Sequence, residues 1–252
     1  MRLIRDSWLQ FRRAMWLTLH NPVWVFVGLT QPILYLVLFA PLLKSLAGPG
    51  MSPDGAFNLF VPGLLIQLGL FGAAFVGFGL IDEMREGVIE RMRVTPTSRL
   101  AMLLGRAGRD VTITLAQGAL LVAIAIPFGL SVSLEGLLVV FGLLVLMGLL
   151  MASVSYALAL KLRDEDSFAP LLMTVTLPLL LLSGVLLPLT LAPDWLRTLA
   201  SINPLSHAVD ASRALFNGQF ADPSVLPGVL LMAALAVLGL AIGGRAFNRM
   251  VA

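Results

Sequence analysis

Long apolar runs separated by short charged connections dominate the chain. Six runs are close to the ~20 residues that an α-helix needs to cross a bilayer. They lie at 23–43, 57–81, 111–128, 137–160, 170–187 and 227–243. None alternates polar and apolar positions over the roughly ten residues that are typical of a membrane β-barrel strand. The pattern therefore predicts an all-α, polytopic membrane protein, with six transmembrane helices in one domain over residues 1–252.

The first 22 residues have a different, amphipathic pattern. Apolar side chains recur on one helical face, at Ile4, Trp8, Phe11 and Met15. Arginines lie largely off that face, at Arg2, Arg5, Arg12 and Arg13. Helices of this kind lie in the membrane interface. We therefore predict an interfacial helix over 1–22, ended by Asn21-Pro22. Because the segment lacks the apolar core and small-residue cleavage site of a signal peptide, we expect retention in the membrane.

Charge is concentrated between residues 82 and 109, in a chain that is only 12% charged. Apolar Met84, Val88 and Met92 recur there at a four-residue step, which favours an amphipathic helix over a membrane span. The proline at position 96 disfavours helix at Thr95. The pattern predicts a helix over 82–98 that is displayed outside the bilayer, although an ordinary solvated loop is the alternative.

The basic residues are distributed unevenly between alternate connections. Fourteen of the 17 lie in the N-terminus, the second and fourth connections and the C-terminus. The three others are Lys44, Arg197 and Arg213. Because basic residues concentrate on the cytoplasmic side, this predicts cytoplasmic termini and a cytoplasmic 82–110 loop. The net charge of +3 thus reflects membrane topology, and no nucleic acid partner is expected.

The connection at 188–226 is long, external in this topology and less polar than a flexible linker. One apolar stripe contains Trp195, Leu196, Leu199 and Ile202, and a second contains Val209, Leu215 and Phe216. Prolines interrupt the segment. We therefore predict short re-entrant helices that dip toward the outer leaflet before the last span.

Composition and motifs exclude several kinds of site. A hydrophobic content of 58% exceeds that of soluble domains, and the absence of cysteine excludes disulfides and thiol chemistry. Neither Lys44 nor Lys161 follows the glycine pattern of a phosphate-binding loop. No metal site is expected from the isolated His20 and His207. No charged residue or histidine lies deep in a predicted span, which argues against an ion or proton relay.

Two stretches carry a family resemblance. The run EMREGVIERMRVTPTSRLAMLLGR at 83–106 and the run INPLSHAVDASRALFNG at 202–218 resemble the permease subunit of ABC-2 type transporters, particularly daunorubicin-resistance-like drug exporters. The resemblance extends over essentially the whole chain. That family usually opens the first motif with a Glu-Arg-Glu-x-Gly-like run, for which Asp82-Glu83-Met84-Arg85-Glu86-Gly87 is a close variant.

The resemblance implies a transport subunit without catalytic residues or a cofactor of its own. A separate cassette ATPase, with ATP and Mg, would supply energy through a coupling helix at 82–98. Its implied contacts are Glu83, Arg85, Glu86, Gly87, Glu90, Arg91, Arg93 and Pro96. A second cytoplasmic contact would use Arg163, Asp164 and Glu165. The implied external motif contains Trp195, Asn203, Pro204, Asp210, Arg213 and Gly218.

The expected function is export of an amphiphilic, drug-like or lipid-like substrate across a bacterial cytoplasmic membrane, by a pair of permeases. The second permease would be another copy of this chain or a related one. Three alternatives stay open. One is a secondary transporter or channel without an ATPase. Another is an ABC-2 permease for polysaccharide or ion-linked export. The third is a lipid-modifying enzyme that uses His207 and Asp210 as an acid/base pair.

Overall fold

The computed structural model describes residues 2–20, 23–46, 53–93, 98–185, 189 and 192–249. Side chains are described there except at positions 2, 24, 40–46, 53–56, 90, 92 and 93. These ranges are mainly helical, with a short 3-10 helix at Ile126–Phe128, and form no strand. The helices are α1 (Arg2–His20), α2 (Val23–Leu46), α3 (Pro53–Ala74), α4 (Gly77–Arg85), α5 (Val88–Arg93), α6 (Arg99–Ala125), α7 (Leu134–Leu162), α8 (Glu165–Leu181), α9 (Asp194–Ile202), α10 (Pro204–Phe216) and α11 (Val225–Arg249).

Polar side chains fix where several helices begin. The Ser98 and Ser133 hydroxyls each accept a bond from a backbone N–H in the first turn, at the starts of α6 and α7. Asp164 and Asn203 do the same for α8 and α10. Each cap satisfies an N–H that has no partner inside its own helix. The starts of α6, α7, α8 and α10 are therefore determined by residues close to them in the sequence.

Four helical segments are long and apolar enough to cross a membrane. They are Phe57–Arg85, Arg99–Phe128, Leu134–Leu162 and Val225–Arg249. A fifth crossing is counted if Leu3–His20 and Val25–Phe39, which are bent by 70° relative to each other, form one span. The protein is therefore an all-helical, multi-pass membrane protein, with four to five candidate spans in the described ranges.

Two predicted span boundaries differ from the structure. The span predicted at 111–128 belongs to α6, which begins at Arg99 and brings Arg106 and Arg109 into the helix. The span predicted at 170–187 corresponds to α8, which has only 17 residues. At ~1.5 Å per residue it reaches about 26 Å, short of the ~30 Å hydrocarbon thickness. The six-span count is thus not reproduced by helix length alone.

Helix α7 is the centre of the fold and packs against α3, α6, α10 and α11. One apolar cluster joins these helices and includes Leu64, Leu143 and Met232. A second cluster lies toward α4 and α5, and includes Ile81 and Phe168. The larger cluster encloses most of α10, so that helix packs inside the protein. Of the two helices predicted to dip toward the leaflet, only α9 has an exposed apolar stripe, with Trp195 65% exposed.

The amphipathic helix α1 crosses α6 at Gly105. A β-carbon at position 105 would lie 2.8 Å from the Ser7 carbonyl oxygen and 2.9 Å from the Phe11 nitrogen. Both are backbone atoms of α1 and cannot rotate away. The absence of a side chain at Gly105 is therefore what permits the two helices to approach so closely.

We predict that Gly105→Ala destabilises the contact between α1 and α6 by about 1–3 kcal/mol, the usual cost of overpacking. Gly142→Ala in α7 is the matched control, because a β-carbon there meets nothing within 4 Å. It should be neutral or slightly stabilising, since alanine favours helix over glycine. Thermal unfolding in detergent measures both variants. Equal melting temperatures would contradict the tight crossing.

Candidate coupling surface

Both segments predicted to contact an ATPase lie at the same end of the helical bundle. Arg85, the last residue of α4, forms an ion pair with Glu165, the first residue of α8. A second Arg85 nitrogen lies 3.9 Å from the Asp164 carboxylate. Arg85 is about half exposed in these pairs. The structure thus brings the second connection of the predicted topology next to the fourth.

The chain changes direction between α4 and α5. Gly87 has φ of +69°, a left-handed conformation that glycine adopts without the steric cost of a side chain. The Arg91 guanidinium donates from Nη2 to the Glu86 carbonyl at 3.0 Å and from Nε to the Gly87 carbonyl at 3.3 Å. The prediction of one continuous helix over 82–98 is therefore wrong, because the chain turns at Glu86-Gly87.

Helix α5 is anchored on one side and open on the other. Ile89 is 2% exposed and packs into the second apolar cluster. Glu86 and Arg91 are exposed. Of the remaining predicted contacts, Glu90 and Arg93 lie within α5 with undescribed side chains, and Pro96 lies outside the described residues. The surface formed by Arg85, Glu86, Arg91, Asp164 and Glu165 is called the coupling surface below.

Asp164 organises the second part of this surface. Its carboxylate accepts bonds from the Ser167 hydroxyl at 2.9 Å and the Ser167 backbone nitrogen at 3.0 Å. These bonds hold the pKa of the Asp164 carboxyl below its usual range. Arg163, with φ of +57°, ends α7 and donates to the Leu160 carbonyl. The turn is thus held by its own side chains, and the carboxylate stays charged at neutral pH.

A network of buried charges lies next to the coupling surface. Arg106 on α6, with a side chain 8% exposed, pairs with Glu83 on α4. The second bond of this pair joins Arg106 Nη1 to Glu83 Oε1 at 3.2 Å. Two donors aimed at one carboxylate give a fixed geometry as well as charge attraction. Glu83 therefore joins α4 to α6 and is only partly available to a partner.

One turn further along α6, Arg109 lies 2.6 Å from Asp110. The Tyr156 hydroxyl of α7 donates to the other oxygen of Asp110. Arg109 also donates to Thr18 of α1 at 3.2 Å. Together with Glu83 and Arg106, these residues form the buried network, which links α1, α4, α6 and α7. The network has two acidic and two basic members, so it is electrically neutral.

Sequence reasoning missed this network because it began the third span at Val111 and counted Arg106 and Arg109 as loop residues. Asp110 is 3% exposed inside the candidate span Arg99–Phe128. The signal that could have placed these residues is the apolar run at 100–104, which follows the Ser98 cap and is compatible with continuous helix. Tyr156 carries no such signal, because an aromatic residue in an apolar helix usually serves packing.

The external motif is organised around buried polar side chains. Asn203 donates to the Leu179 carbonyl at 2.7 Å while its Oδ1 caps α10, and Pro204 occupies the first helical position. Arg213 donates to the Leu59 carbonyl at 3.0 Å and to the Gly184 carbonyl at 2.7 Å. Arg213 therefore ties α10 to α3 and to the end of α8.

The remaining motif residues lie nearer the surface. Asp210 is half exposed and lies 3.9 Å from Arg213. Gly218 has φ of +73° just after α10. His207 Nε2 lies 3.0 Å from the Ser201 carbonyl oxygen. Because that contact uses the backbone, the geometry gives no support to an acid/base pair of His207 with Asp210.

The sequence match spans most of these elements. A family model described as ABC-2 type transporter matches residues 6–217. The chain belongs to the ABC-2 type transporter family. This range contains most of α1, the coupling surface, the buried network and the Asn203 to Arg213 motif. As an ABC-2 permease, the protein is a transport component of the membrane.

Individual relatives have names that agree with this family. The chain is 29% identical over 201 residues to "Putative transport permease ycf38" of Pyropia yezoensis, covering 79% of this chain and 69% of that protein. It is 27% identical over 209 residues to "Daunorubicin resistance ABC transporter permease protein DrrB1" of Streptomyces coeruleorubidus, covering 82% and 73%. It is also 27% identical over 174 residues to "Probable multidrug ABC transporter permease YbhR" of Escherichia coli K12, covering 66% and 45%.

Proposed function

We propose that this permease is the membrane subunit of an ATP-binding cassette exporter, and that a separate ATPase drives it through the coupling surface. The observation that carries the proposal is the contact of Arg85 with Glu165 and Asp164. It places two charged connections side by side at one end of the bundle, where one partner can reach both. ATP and Mg would be bound by that partner.

The proposed topology has six crossings, with both termini on the cytoplasmic side of a bacterial cytoplasmic membrane. Helix α2 and helix α8 would provide the two crossings beyond the four long apolar segments. The concentration of basic residues in alternate connections supports this orientation. In this proposed orientation, the coupling surface lies in the cytoplasm and the Asn203 to Arg213 motif lies at the outer side.

The proposed substrate is an amphiphilic molecule, drug-like or lipid-like, moved outward by a pair of permeases. The second permease is another copy of this chain or a related one. An apolar protein with few amides favours such a substrate over a small ion. Two relatives carry the words daunorubicin resistance and multidrug in their names, which agrees with that class.

An ion-coupled transporter is the second candidate, because Asp110 is a buried carboxylate in a candidate span. Such residues often mark ion or proton pathways. Here, however, one carboxylate oxygen pairs with Arg109 and the other accepts the Tyr156 hydroxyl. A carboxylate with both oxygens occupied is better suited to holding helices together. Transport that persists without ATP and collapses with the proton gradient would favour this candidate.

We predict that the wild-type chain copurifies with its cassette ATPase and stimulates ATP hydrolysis. The triple variant Glu86→Lys, Glu90→Lys, Arg91→Glu should weaken that binding roughly tenfold or more, because unfavourable charge pairs at an interface are costly. Affinity of the purified permease for the ATPase and the rate of phosphate release are the measurements.

The matched control is Glu135→Lys, Asp194→Lys, Arg197→Glu, which reverses two acidic residues and one arginine away from the coupling surface. It should bind the ATPase as the wild type does. Unchanged binding by the first triple variant would disprove the coupling surface. Failure of the wild-type permease to retain any cassette ATPase would disprove the exporter.

A further inference from the structure

Beside the crossing of α1 and α6 lies an open groove of about 360 Å³. Its walls are mainly apolar and come from Leu3, Ile4, Ser7, Trp8, Phe11, Leu104 and Gly105. The volume is at the lower end of the ~300–1,000 Å³ that is usual for ligand sites. We call this feature the α1 groove. It is separate from the coupling surface and from the buried network.

The α1 groove presents aromatic and aliphatic surface to its surroundings. Ile4 is 76% exposed and Trp8 is 60% exposed. The rings of Trp8 and Phe11 stack with their centroids 5.3 Å apart, and both residues line the groove. An aliphatic chain is the ligand that such a wall accommodates without loss of hydrogen bonds.

Two arginines of α1 lie near Trp8 and can bind the anionic headgroup of an amphiphile. Arg5 and Arg12 lie three residues before and four residues after Trp8, so they neighbour it on the helix surface. Both are exposed. Guanidinium groups bind phosphate oxygens with matched geometry. Two cations therefore lie on the α1 surface next to Trp8, which lines the groove.

One polar atom on the wall also lacks a partner. Ser7 Oγ is buried and makes no hydrogen bond to any described residue. In a helix a serine hydroxyl can bond to a carbonyl one turn earlier, yet here it does not. This unpaired hydroxyl belongs to a residue that lines the groove.

We propose that the α1 groove binds one anionic phospholipid of the cytoplasmic leaflet. An acyl chain lies against Trp8 and Phe11, the phosphate pairs with Arg5 and Arg12, and Ser7 donates to a headgroup or ester oxygen. The inference rests on the proposed function only in placing α1 at the cytoplasmic leaflet. The bound lipid would join α1 to α6 next to the crossing at Gly105.

Fluorescence quenching tests the site in the full-length chain. Trp16, Trp24 and Trp195 are replaced by phenylalanine, which leaves Trp8 as the sole tryptophan. The protein is then reconstituted in phosphatidylcholine with a minor fraction of lipid brominated on its acyl chains. That fraction is either phosphatidylglycerol or phosphatidylcholine with the same chains. Since each arginine near a membrane surface favours anionic lipid by about fivefold, brominated phosphatidylglycerol should quench Trp8 at a markedly lower mole fraction.

Two variants in the same background separate the parts of the site. Arg5→Gln with Arg12→Gln should remove the preference for phosphatidylglycerol, whereas Arg245→Gln with Arg249→Gln, exposed at the end of α11, should retain it. Leu3→Phe, which fills the groove, should reduce quenching by both lipids. Circular dichroism checks that each variant remains helical.

Equal quenching of Trp8 by the two brominated lipids would mean ordinary contact with the bilayer, and would overturn the proposal. So would protection of Trp8 from both lipids when the ATPase is added, because the groove would then be a protein interface. Neither measurement requires ATP hydrolysis or transport. A failure of the lipid site is therefore distinguishable from a failure of the exporter.

Discussion

Replacing Asp110 with alanine is expected to destabilise the folded protein by about 3–5 kcal/mol, the usual cost of leaving one member of a buried ion pair without its partner. Asp110 is 3% exposed and lies 2.6 Å from Arg109. Its removal leaves the partly buried Arg109 guanidinium without its counter-ion and takes the acceptor from the Tyr156 hydroxyl. Thermal unfolding of the purified protein in detergent measures the loss.

Two comparison variants make this result interpretable. Asp82→Ala removes an exposed carboxylate from α4 and should change the melting temperature little. Tyr156→Phe keeps the ring but removes one hydrogen bond to Asp110, so a smaller loss of about 1–3 kcal/mol is expected. If Asp110→Ala had the same melting temperature as Asp82→Ala, the buried network would not stabilise the fold.

Replacing Arg213 with alanine is expected to destabilise the protein by about 2–4 kcal/mol. Arg213 donates to the carbonyls of Leu59 and Gly184, and hydrogen bonds to charged groups contribute about 1.5–3 kcal/mol each before relaxation of the site. Without the guanidinium, the carbonyls of Leu59 in α3 and of Gly184 just after α8 lose this donor. Chemical or thermal unfolding in detergent measures the effect.

Arg213→Lys tests whether charge alone is sufficient. A lysine ammonium retains the charge but lacks the planar guanidinium that reaches two carbonyls from different elements. Arg213→Lys should therefore lose most of the stability that Arg213→Ala loses. Arg197→Ala is the control, because Arg197 is half exposed on α9 and, among the described residues, its side chain bonds locally to Ala192 and Asp194. If Arg213→Lys were as stable as the wild type, a positive charge at this position would be sufficient, and the hydrogen-bond geometry of the guanidinium would not be needed.

Much of the architecture was predictable from the apolar pattern. Helical spans at 57–81, 137–160 and 227–243 correspond to helices in the structure, because apolar runs of this length have few alternatives in a bilayer. The amphipathic helix α1 followed from the spacing of Ile4, Trp8 and Phe11. The family also followed from sequence, from the runs at 83–106 and 202–218.

The errors have physical causes that the pattern does not contain. The turn at Gly87 was missed because glycine is tolerated in helices, and only the backbone geometry reveals its positive φ. Arg106 and Arg109 were assigned to a loop because charge usually indicates solvent. The pairing of Arg106 with Glu83 and the bond from Tyr156 to Asp110 depend on how different helices pack, which local spacing does not determine.

The neutrality of the buried network has a consequence for biosynthesis. Arg109 and Asp110 are adjacent in the chain, so opposite charges enter the translocon together, 46 residues before Tyr156 is synthesised. A lone charge at the centre of a nascent span costs about 2.5–3.5 kcal/mol to insert. Glu83 likewise precedes Arg106 by 23 residues, within one hairpin. Each cation of the network therefore reaches the bilayer either after its counter-ion or directly beside it, and insertion need not await the completed bundle.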